Sequence, residues 1–242
     1  MKRSYHRWPS RNLGRDMELL VFGHAGERIL VFPTRCGRFH DYEDWRLVEA
    51  WGNRLAAGSV QLYCLDSVDA ESIYNNWCRP ADRIHRHLQF ERYIMEEVVP
   101  FTVAHNPDSR LSLAGCSLGA WHAVNLACRH PGIFHRVLAF SGRYDLTRTI
   151  GPYRDLFDGH YDDHVYFNMP SHYVPPMWEH RTLDPLRRLD LTITVGETDI
   201  CHDNNRDFVG SLQYHQIPHR FHVWSDEAHR PRYWRRMVAE YG

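Results

Sequence analysis

The 242-residue chain has almost no lysine: the only one is Lys2, and arginine carries nearly all of its basic charge. An internal Schiff-base lysine and a phosphate-binding loop that ends in Gly-Lys-Ser/Thr are therefore excluded. The formal net charge of -1 gives no reason to expect nucleic acid or an anionic membrane as a partner.

Cysteine pairs with redox or metal-binding spacing are also absent. The cysteines at positions 36, 64, 78, 116, 128 and 201 form no Cys-x-x-Cys pair, and a chain of this size can bury a core without disulfides. No apolar run has the length of a membrane helix, and none follows the charged N-terminus as in a signal peptide. We therefore expect free thiols, no membrane partner and a cytoplasmic location.

Short apolar runs alternate with helical patterns along most of the chain. This alternation predicts one α/β domain over residues 1–242, with a mostly parallel sheet and helices on both faces. The runs at 17–23 and 28–33 predict a hairpin that adds antiparallel strands at the N-terminal edge. The helical pattern that begins at residue 81 is expected to stop at Pro100.

A serine lies between two glycines at the junction of a predicted strand (110–116) and a predicted helix (117–131), in the segment Gly115-Cys116-Ser117-Leu118-Gly119. Small residues at this spacing suit any tight turn, but they are also what a strained turn needs to present a nucleophilic serine. Backbone N–H groups at the start of the helix would then face a developing oxyanion.

A serine nucleophile needs a histidine base and an acid that orients the histidine. In α/β-hydrolases the acid follows a late strand and the histidine comes after it in the chain. Asp199 follows the strand predicted at 189–197, with Glu197 and Asp203 as rivals, and His229 lies between the last strand and the last helix. Asp203 has an alternative explanation as the N-cap of the next helix. We expect Ser141, in Ala-Phe-Ser-Gly-Arg, to be structural.

Three motifs, "GCSLGA", "TVGETD" and "AHRPRYW", occur in this order, and with them the chain resembles the putative-esterase family of α/β-hydrolases, which includes esterase D. The resemblance covers about residues 11–234 and implies an α/β-hydrolase fold and an esterase that uses no cofactor. It assigns the nucleophile to Ser117, the acid to Asp199 and the base to His229. It also assigns the oxyanion amides to Leu118 and to Arg35 or Cys36. The chain departs from the family pattern at Arg230-Pro231, where such enzymes often have Asp-Trp.

Residues 143–188 interrupt the alternation of strands and helices. They are rich in aromatic residues, histidine and proline and have little periodicity, which is typical of a lid or binding loop, although a surface excursion with one or two short helices has the same pattern. We expect its large side chains to wall a substrate pocket above Ser117, with a further wall from residues 71–77. The residues chosen for that pocket are Tyr166, Phe167, Tyr173 and Trp178, with Tyr161 and Met169 as further candidates.

Alternative functions remain at this point. His85 and His87, or His160 and His164, offer nitrogen ligands for a metal, although none is predicted. The scaffold also supports a binding protein without chemistry, and the same acyl-enzyme supports acyl transfer to an acceptor other than water. The favoured prediction is a serine hydrolase that cleaves a small carboxylic ester or thioester. The oligomeric state is not predicted.

Overall fold

The computed structural model describes residues 2–242 and contains one eight-stranded sheet. The strands are β1 (Arg3–Ser10), β2 (Arg15–Phe22), β3 (Glu27–Phe32), β4 (Val60–Leu65), β5 (Leu111–Cys116), β6 (Arg136–Phe140), β7 (Asp190–Gly196) and β8 (His219–Trp224). Their order across the sheet is β1-β2-β4-β3-β5-β6-β7-β8. The pairs β1–β2 and β2–β4 are antiparallel, and all the other pairs are parallel.

Both faces of the sheet are covered, as the unbroken apolar strands predict. Every residue of β3, β4 and β5 is buried. Neighbouring residues of one strand enter different apolar clusters: Leu113 packs on one face, whereas Ala114 packs on the other. Because side chains alternate along a strand, this division requires packed layers on both sides. The expected α/β architecture is confirmed.

The layers are built from helices of very different length, and none within residues 2–242 is long and apolar enough to cross a membrane. The helices are α1 (Asp41–Asp44), α2 (Leu47–Ala50), α3 (Gly52–Ala56), α4 (Pro80–Tyr93), α5 (Val99–His105), α6 (Leu118–Arg129), α7 (Asp163–Tyr166), α8 (Pro170–Tyr173), α9 (His180–Leu186), α10 (His202–Tyr214) and α11 (Pro231–Tyr241).

The helical segment expected to stop at Pro100 continues to His105. A π-helical turn, Ile94–Val98, joins α4 to α5 and places Pro100 in the first turn of α5. Proline has no N–H to donate, so it is tolerated in a first turn, and the π turn changes the hydrogen-bond pattern just before it.

The hairpin expected between 17–23 and 28–33 is wrong, although the antiparallel edge itself is confirmed. β2 and β3 do not pair, because β4 lies between them. β3 instead pairs in parallel with β4 and β5, with Leu30 opposite Tyr63 on one side and Leu113 on the other. A strand that is buried at every position gains most from two neighbours, so β3 takes a central place. β2 pairs antiparallel with β4 and with β1, and the strand β1 was not predicted from the sequence.

The irregular segment 143–188 contains the short helices α7, α8 and α9. Its first part is tied to the body by Arg83, whose Nη1 donates to the Asp158 carboxylate (2.8 Å) and to the Leu156 carbonyl (2.9 Å). Leu146, Leu156 and other apolar residues of the segment share a buried cluster with Leu118 and Trp121 at the start of α6. The segment is therefore fixed over the end of the sheet where β5 leads into α6.

Candidate active site

Ser117 occupies a strained turn between β5 and α6. Its φ of 56° and ψ of -120° lie in a region that residues other than glycine rarely adopt. The flanking glycines are required by sterics. A Cβ on Gly119 would lie 2.5 Å from the carbonyl oxygens of Phe32 and Pro33, and a Cβ on Gly115 would collide with the Gly119 backbone. The turn therefore holds the serine side chain in one direction at the end of the sheet.

Three predicted site residues meet at this end of the sheet. Asp199 lies in the turn after β7, and His229 lies in the loop between β8 and α11. Nε2 of His229 is 3.0 Å from Ser117 Oγ, and Nδ1 is 2.9 Å from Asp199 Oδ2. The Asp199 side chain is 1% exposed and that of His229 is 14% exposed. We call these residues the Ser–His–Asp group.

The hydrogen-bond partners decide how the imidazole is protonated. An ionised carboxylate only accepts hydrogen bonds, so Nδ1 of His229 carries the hydrogen that is donated to Asp199. Nε2 of the neutral ring is then the acceptor for the Ser117 hydroxyl. The second Asp199 oxygen, Oδ1, accepts the Cys201 N–H at 2.9 Å, which fixes the carboxylate in place. The arrangement can remove a proton from the serine as the serine attacks an electrophile.

The rival acids face solvent. Glu197 and Asp203 are both exposed, and the Asp203 side chain is 79% exposed. The expectation that Asp203 caps the next helix is wrong, because α10 starts after Cys201 and Asp203 lies within its first turn. Only Asp199 reaches His229.

Ser141 has the structural setting that was expected. It is fully buried at the end of β6, donates to the Ala228 carbonyl (3.2 Å) and accepts from Trp234 Nε1 (3.1 Å). Because Ala228 precedes His229, these bonds fix the loop that carries the histidine. The pair Arg230-Pro231, where the chain departs from the family pattern, shapes the start of α11. Pro231 is the first residue of this helix, and Arg230 Nε donates to the Glu227 carboxylate at 3.1 Å.

The two alternatives for the second oxyanion amide differ in their hydrogen bonding. The Cys36 N–H donates to Asp69 Oδ2 at 3.0 Å, so it is already occupied. The Arg35 and Leu118 N–H groups have no acceptor in the part of the chain that the structure describes, and both residues line the cavity beside Ser117. The available pair of amides is therefore Arg35 and Leu118.

Sequence reasoning missed Asp69, which joins this loop to the helix after Ser117. Its carboxylate is fully buried. Oδ2 accepts the Cys36 N–H, and Oδ1 lies 3.0 Å from Nε2 of His122 on α6. A buried carboxylate is retained only with such partners. The available signal was its position, shortly after β4 at the same end of the sheet as Ser117.

A cavity of about 170 Å³ opens beside Ser117, slightly larger than an engineered apolar cavity of roughly 150 Å³ that holds benzene. Its walls come from both expected regions: Tyr74 from residues 71–77, and Tyr153 from the segment 143–188. All of its lining residues are Thr34, Arg35, Tyr74, Ser117, Leu118, Arg143, Leu146, Tyr153, Cys201, His229 and Trp234. Burial raises the pKa of the Cys201 thiol to about 12, so it is a neutral wall at ordinary pH.

The aromatic residues chosen for the substrate pocket do not line this cavity, which corrects that expectation. They line a second cavity, of about 630 Å³, together with Cys128 and Arg129; the four are Tyr166, Phe167, Tyr173 and Trp178. The reason is that these four side chains lie beside the C-terminal half of α6, where Arg129 Nη1 donates to the Phe167 carbonyl at 2.7 Å. The Tyr173 hydroxyl, for example, donates to Asn125 Oδ1 at 3.0 Å.

Two groups of three potential metal ligands occur among the described residues, and one of them lies at the candidate active site. The potential ligand atoms of Asp199, Cys201 and His229 lie within 4.8 Å of one another, but Asp199 and His229 already bind each other. His85 is exposed and packs edge-on against His164, with ring centroids 4.8 Å apart. His87 is buried, and burial lowers its pKa to about 3. These histidines join no cluster of three potential ligands within residues 2–242.

The known proteins that the chain resembles are esterases and related hydrolases. The family described as Putative esterase matches residues 39–240. A ferulic acid esterase structure is 18% identical and has a TM-score of 0.79, with 99% of this chain and 96% of that chain covered. An S-formylglutathione hydrolase from Agrobacterium tumefaciens is 14% identical with a TM-score of 0.73, with 98% and 92% covered. The corresponding hydrolase from Staphylococcus aureus is 16% identical with a TM-score of 0.66, with 99% and 94% covered. No curated protein matches the chain.

Proposed function

The chain belongs to the putative esterase family, and we propose that it cleaves carboxylic esters or thioesters through an acyl-enzyme on Ser117. One observation carries this proposal: a continuous line of hydrogen bonds runs from Ser117 Oγ through His229 to the buried Asp199. Each of these three side chains has the partner that its role requires.

In the first half of the reaction, Ser117 Oγ attacks the ester carbonyl carbon while His229 Nε2 takes the serine proton. Asp199 keeps Nδ1 protonated and stabilises the imidazolium that forms. The carbon–oxygen bond to the alcohol then breaks, and the alcohol leaves with the proton from Nε2. In the second half, water attacks the acyl-enzyme, His229 takes its proton and returns it to Ser117, and the carboxylic acid leaves.

The tetrahedral intermediates need donors for their oxyanion. We assign this role to the N–H groups of Leu118 and Arg35, because neither has an acceptor within residues 2–242 and both residues border the cavity. Asp69 supports the role indirectly, since it holds the Cys36 amide and the His122 ring at once. Removal of one oxyanion donor typically lowers turnover by about 10² to 10³.

The small cavity supports a short acyl or alcohol group at the reacting centre. Its volume of about 170 Å³ holds a group of roughly the size of a single six-membered ring. We therefore expect 4-nitrophenyl acetate or propionate to be a better substrate than a long-chain ester.

The test is covalent labelling with a fluorophosphonate, followed by peptide mapping and ester kinetics. We expect the label on Ser117, and we expect Ser117→Ala to fold normally but to lose several orders of magnitude in turnover. Ser211→Ala provides the control, because the Ser211 hydroxyl donates to the Asp207 carbonyl within α10 and lies away from the cavity. Labelling at Ser141, or near-normal hydrolysis by Ser117→Ala, would refute the assignment.

A further inference from the structure

The charge at the cavity is one-sided. Arg35 and Arg143 both line it, whereas no aspartate or glutamate does. The nearest carboxylate of the reaction machinery, Asp199, is already bonded to His229 and the Cys201 amide. A neutral ester would gain nothing from two guanidinium groups in a confined space, so their presence requires an explanation.

Arg143 is the more informative of the two, because it is a buried cation without an acidic partner. It is only 6% exposed, and no carboxylate within residues 2–242 forms an ion pair with it. Its Nε and Nη2 donate to backbone carbonyls, those of Asp145, Leu146, Arg148 and Arg154. Nη1 has no acceptor within the same residues.

The acids closest to Arg143 are occupied elsewhere. Asp145 accepts from Thr147 (2.7 Å) and faces Nε2 of His172 at 3.1 Å. These bonds hold the pKa of Asp145 down to about 2 despite burial. Asp155 accepts from the N–H groups of Phe157 and Gly159 at 2.8 and 2.7 Å. Burial of a charge without a partner is costly, and four carbonyls hold this guanidinium with one nitrogen left open.

Arg35 supplies the second positive charge at the mouth of the cavity. Its guanidinium carbon lies 5.7 Å from the ring centre of Tyr74, a cation–π distance that leaves its N–H groups available. Arg35 forms no ion pair within residues 2–242 either. Within residues 2–242, Nη1 of Arg143 and the Arg35 guanidinium therefore remain available for an anion beside Ser117. A guanidinium suits the oxygens of a carboxylate or phosphate.

We propose that the natural substrate is an ester or thioester that carries a second, anionic group, a carboxylate or a phosphate, bound by Arg143 Nη1 and the Arg35 guanidinium. This inference rests on the proposed esterase function and specifies its substrate class. A charge-assisted hydrogen bond of this kind separates an anionic substrate from its neutral isostere by about tenfold to a hundredfold.

The experiment compares kcat/KM for anionic esters and neutral isosteres on the unmodified protein. 4-Acetoxybenzoate against 4-acetoxybenzamide places the charge on the leaving group, and monoethyl succinate against ethyl succinamate places it on the acyl group. 4-Acetoxyphenyl phosphate tests phosphate in place of carboxylate. We expect at least one anionic ester to exceed its neutral counterpart by tenfold or more, mainly through KM.

Variants then connect the preference with the arginines. Arg35→Gln should reduce the ratio of anionic to neutral kcat/KM by about tenfold, and Arg143→Lys should reduce it as well. Arg181→Gln is the matched control, because Arg181 is an exposed arginine of the same segment that pairs with Glu179 away from the cavity. It should leave the ratio unchanged. If Arg143→Lys does not fold, the ratios of anionic to neutral kcat/KM for the wild type and for Arg35→Gln still decide whether the site binds an anionic group.

The outcomes separate the two proposals. Equal or slower hydrolysis of all the anionic esters, with neutral esters hydrolysed normally, would overturn the inference and leave the esterase assignment intact. A preference that survives Arg35→Gln and Arg143→Lys unchanged would overturn the role of the arginines. Absence of hydrolysis for every ester, together with no label on Ser117, would overturn the esterase assignment and the inference with it.

Discussion

Replacement of Asp199 by asparagine should strongly lower turnover because it changes the tautomer of His229, while the fold is retained. In the native protein Oδ1 accepts the Cys201 N–H at 2.9 Å, while Oδ2 faces Nδ1 of His229 at 2.9 Å. In Asp199→Asn the single remaining oxygen must face the Cys201 N–H, because the opposite orientation would place an NH₂ group against that donor. The NH₂ group then faces His229.

The expected magnitude follows from this arrangement. An NH₂ group at Nδ1 favours the tautomer that carries its hydrogen on Nε2, and that nitrogen then has no lone pair for the Ser117 proton. Asp199 is only 4% exposed, so solvent offers no alternative partner. The same substitution in a serine protease triad lowers turnover about 10⁴-fold, which corresponds to roughly 5 kcal/mol of transition-state stabilisation. We expect a loss of three to four orders of magnitude in kcat.

The assay measures kcat and KM for a short-chain aryl ester in three amide variants. Glu197→Gln and Asp203→Asn are the matched controls, since both acids lie near the end of β7 but are exposed. Both should retain most of the activity, and thermal unfolding should be similar in all three. The reasoning fails if Asp199→Asn keeps more than about a tenth of wild-type turnover, or if one of the controls is the inactive variant.

Two other substitutions test the surroundings of the site. Since the pKa of His87 is lowered to about 3 from an ordinary value of about 6.5, the stability from its neutral form is complete above pH 6.5 and is lost as pH falls towards 3. Between pH 6.5 and 5, the free energy of unfolding of His87→Phe should therefore fall by about 1.6 kcal/mol less than that of the wild type, as measured by urea unfolding; parallel curves would contradict this. Tyr74→Ala should change the preference between acetate and butyrate esters by about tenfold, whereas Trp178→Ala, at the second cavity, should not; an equal effect of both would contradict the placement of the pocket.

The residues of the Ser–His–Asp group could be located from the sequence because each is tied to the end of a regular element. Ser117 lies at the junction of a strand and a helix whose glycines the turn requires, and Asp199 and His229 follow the last two parallel strands. The carboxyl ends of parallel strands meet at one edge of a sheet, so strand order along the chain was sufficient to bring them together.

The pocket could not be located in the same way. Tyr166, Phe167, Tyr173 and Trp178 belong to a segment without periodicity, and its direction depends on contacts distant in sequence, such as the bond from Tyr173 to Asn125. Large side chains indicate that a segment is packed, but they do not indicate against what. Arg143 was overlooked for a related reason, since an arginine that binds only backbone carbonyls has no acidic partner to find in the sequence.

Strand pairing at the N-terminal edge shows the same limit. The segment between β2 and β3 has the small residues of a hairpin turn, and local chemistry favours pairing of neighbours. What decides instead is that Leu30 and its neighbours are buried on both faces, which only a central position satisfies. β1 was missed because Pro9 and several charged or polar residues interrupt the apolar pattern that marks a strand.

β6 contributes no residue to the Ser–His–Asp group, yet it lies between β5 and β7 and so sets the gap that the histidine spans. Neighbouring strands are about 4.8 Å apart, so the strands before Ser117 and Asp199 stand roughly 9.5 Å apart. One imidazole ring with hydrogen bonds of 3.0 and 2.9 Å at its two ends bridges the side chains across that gap. The sheet thus fixes the separation between the strands that precede Ser117 and Asp199. That separation is set by the spacing of backbone hydrogen bonds, which side-chain substitution leaves unchanged. Substitutions in the surrounding sequence therefore preserve this separation as long as a single strand remains between β5 and β7.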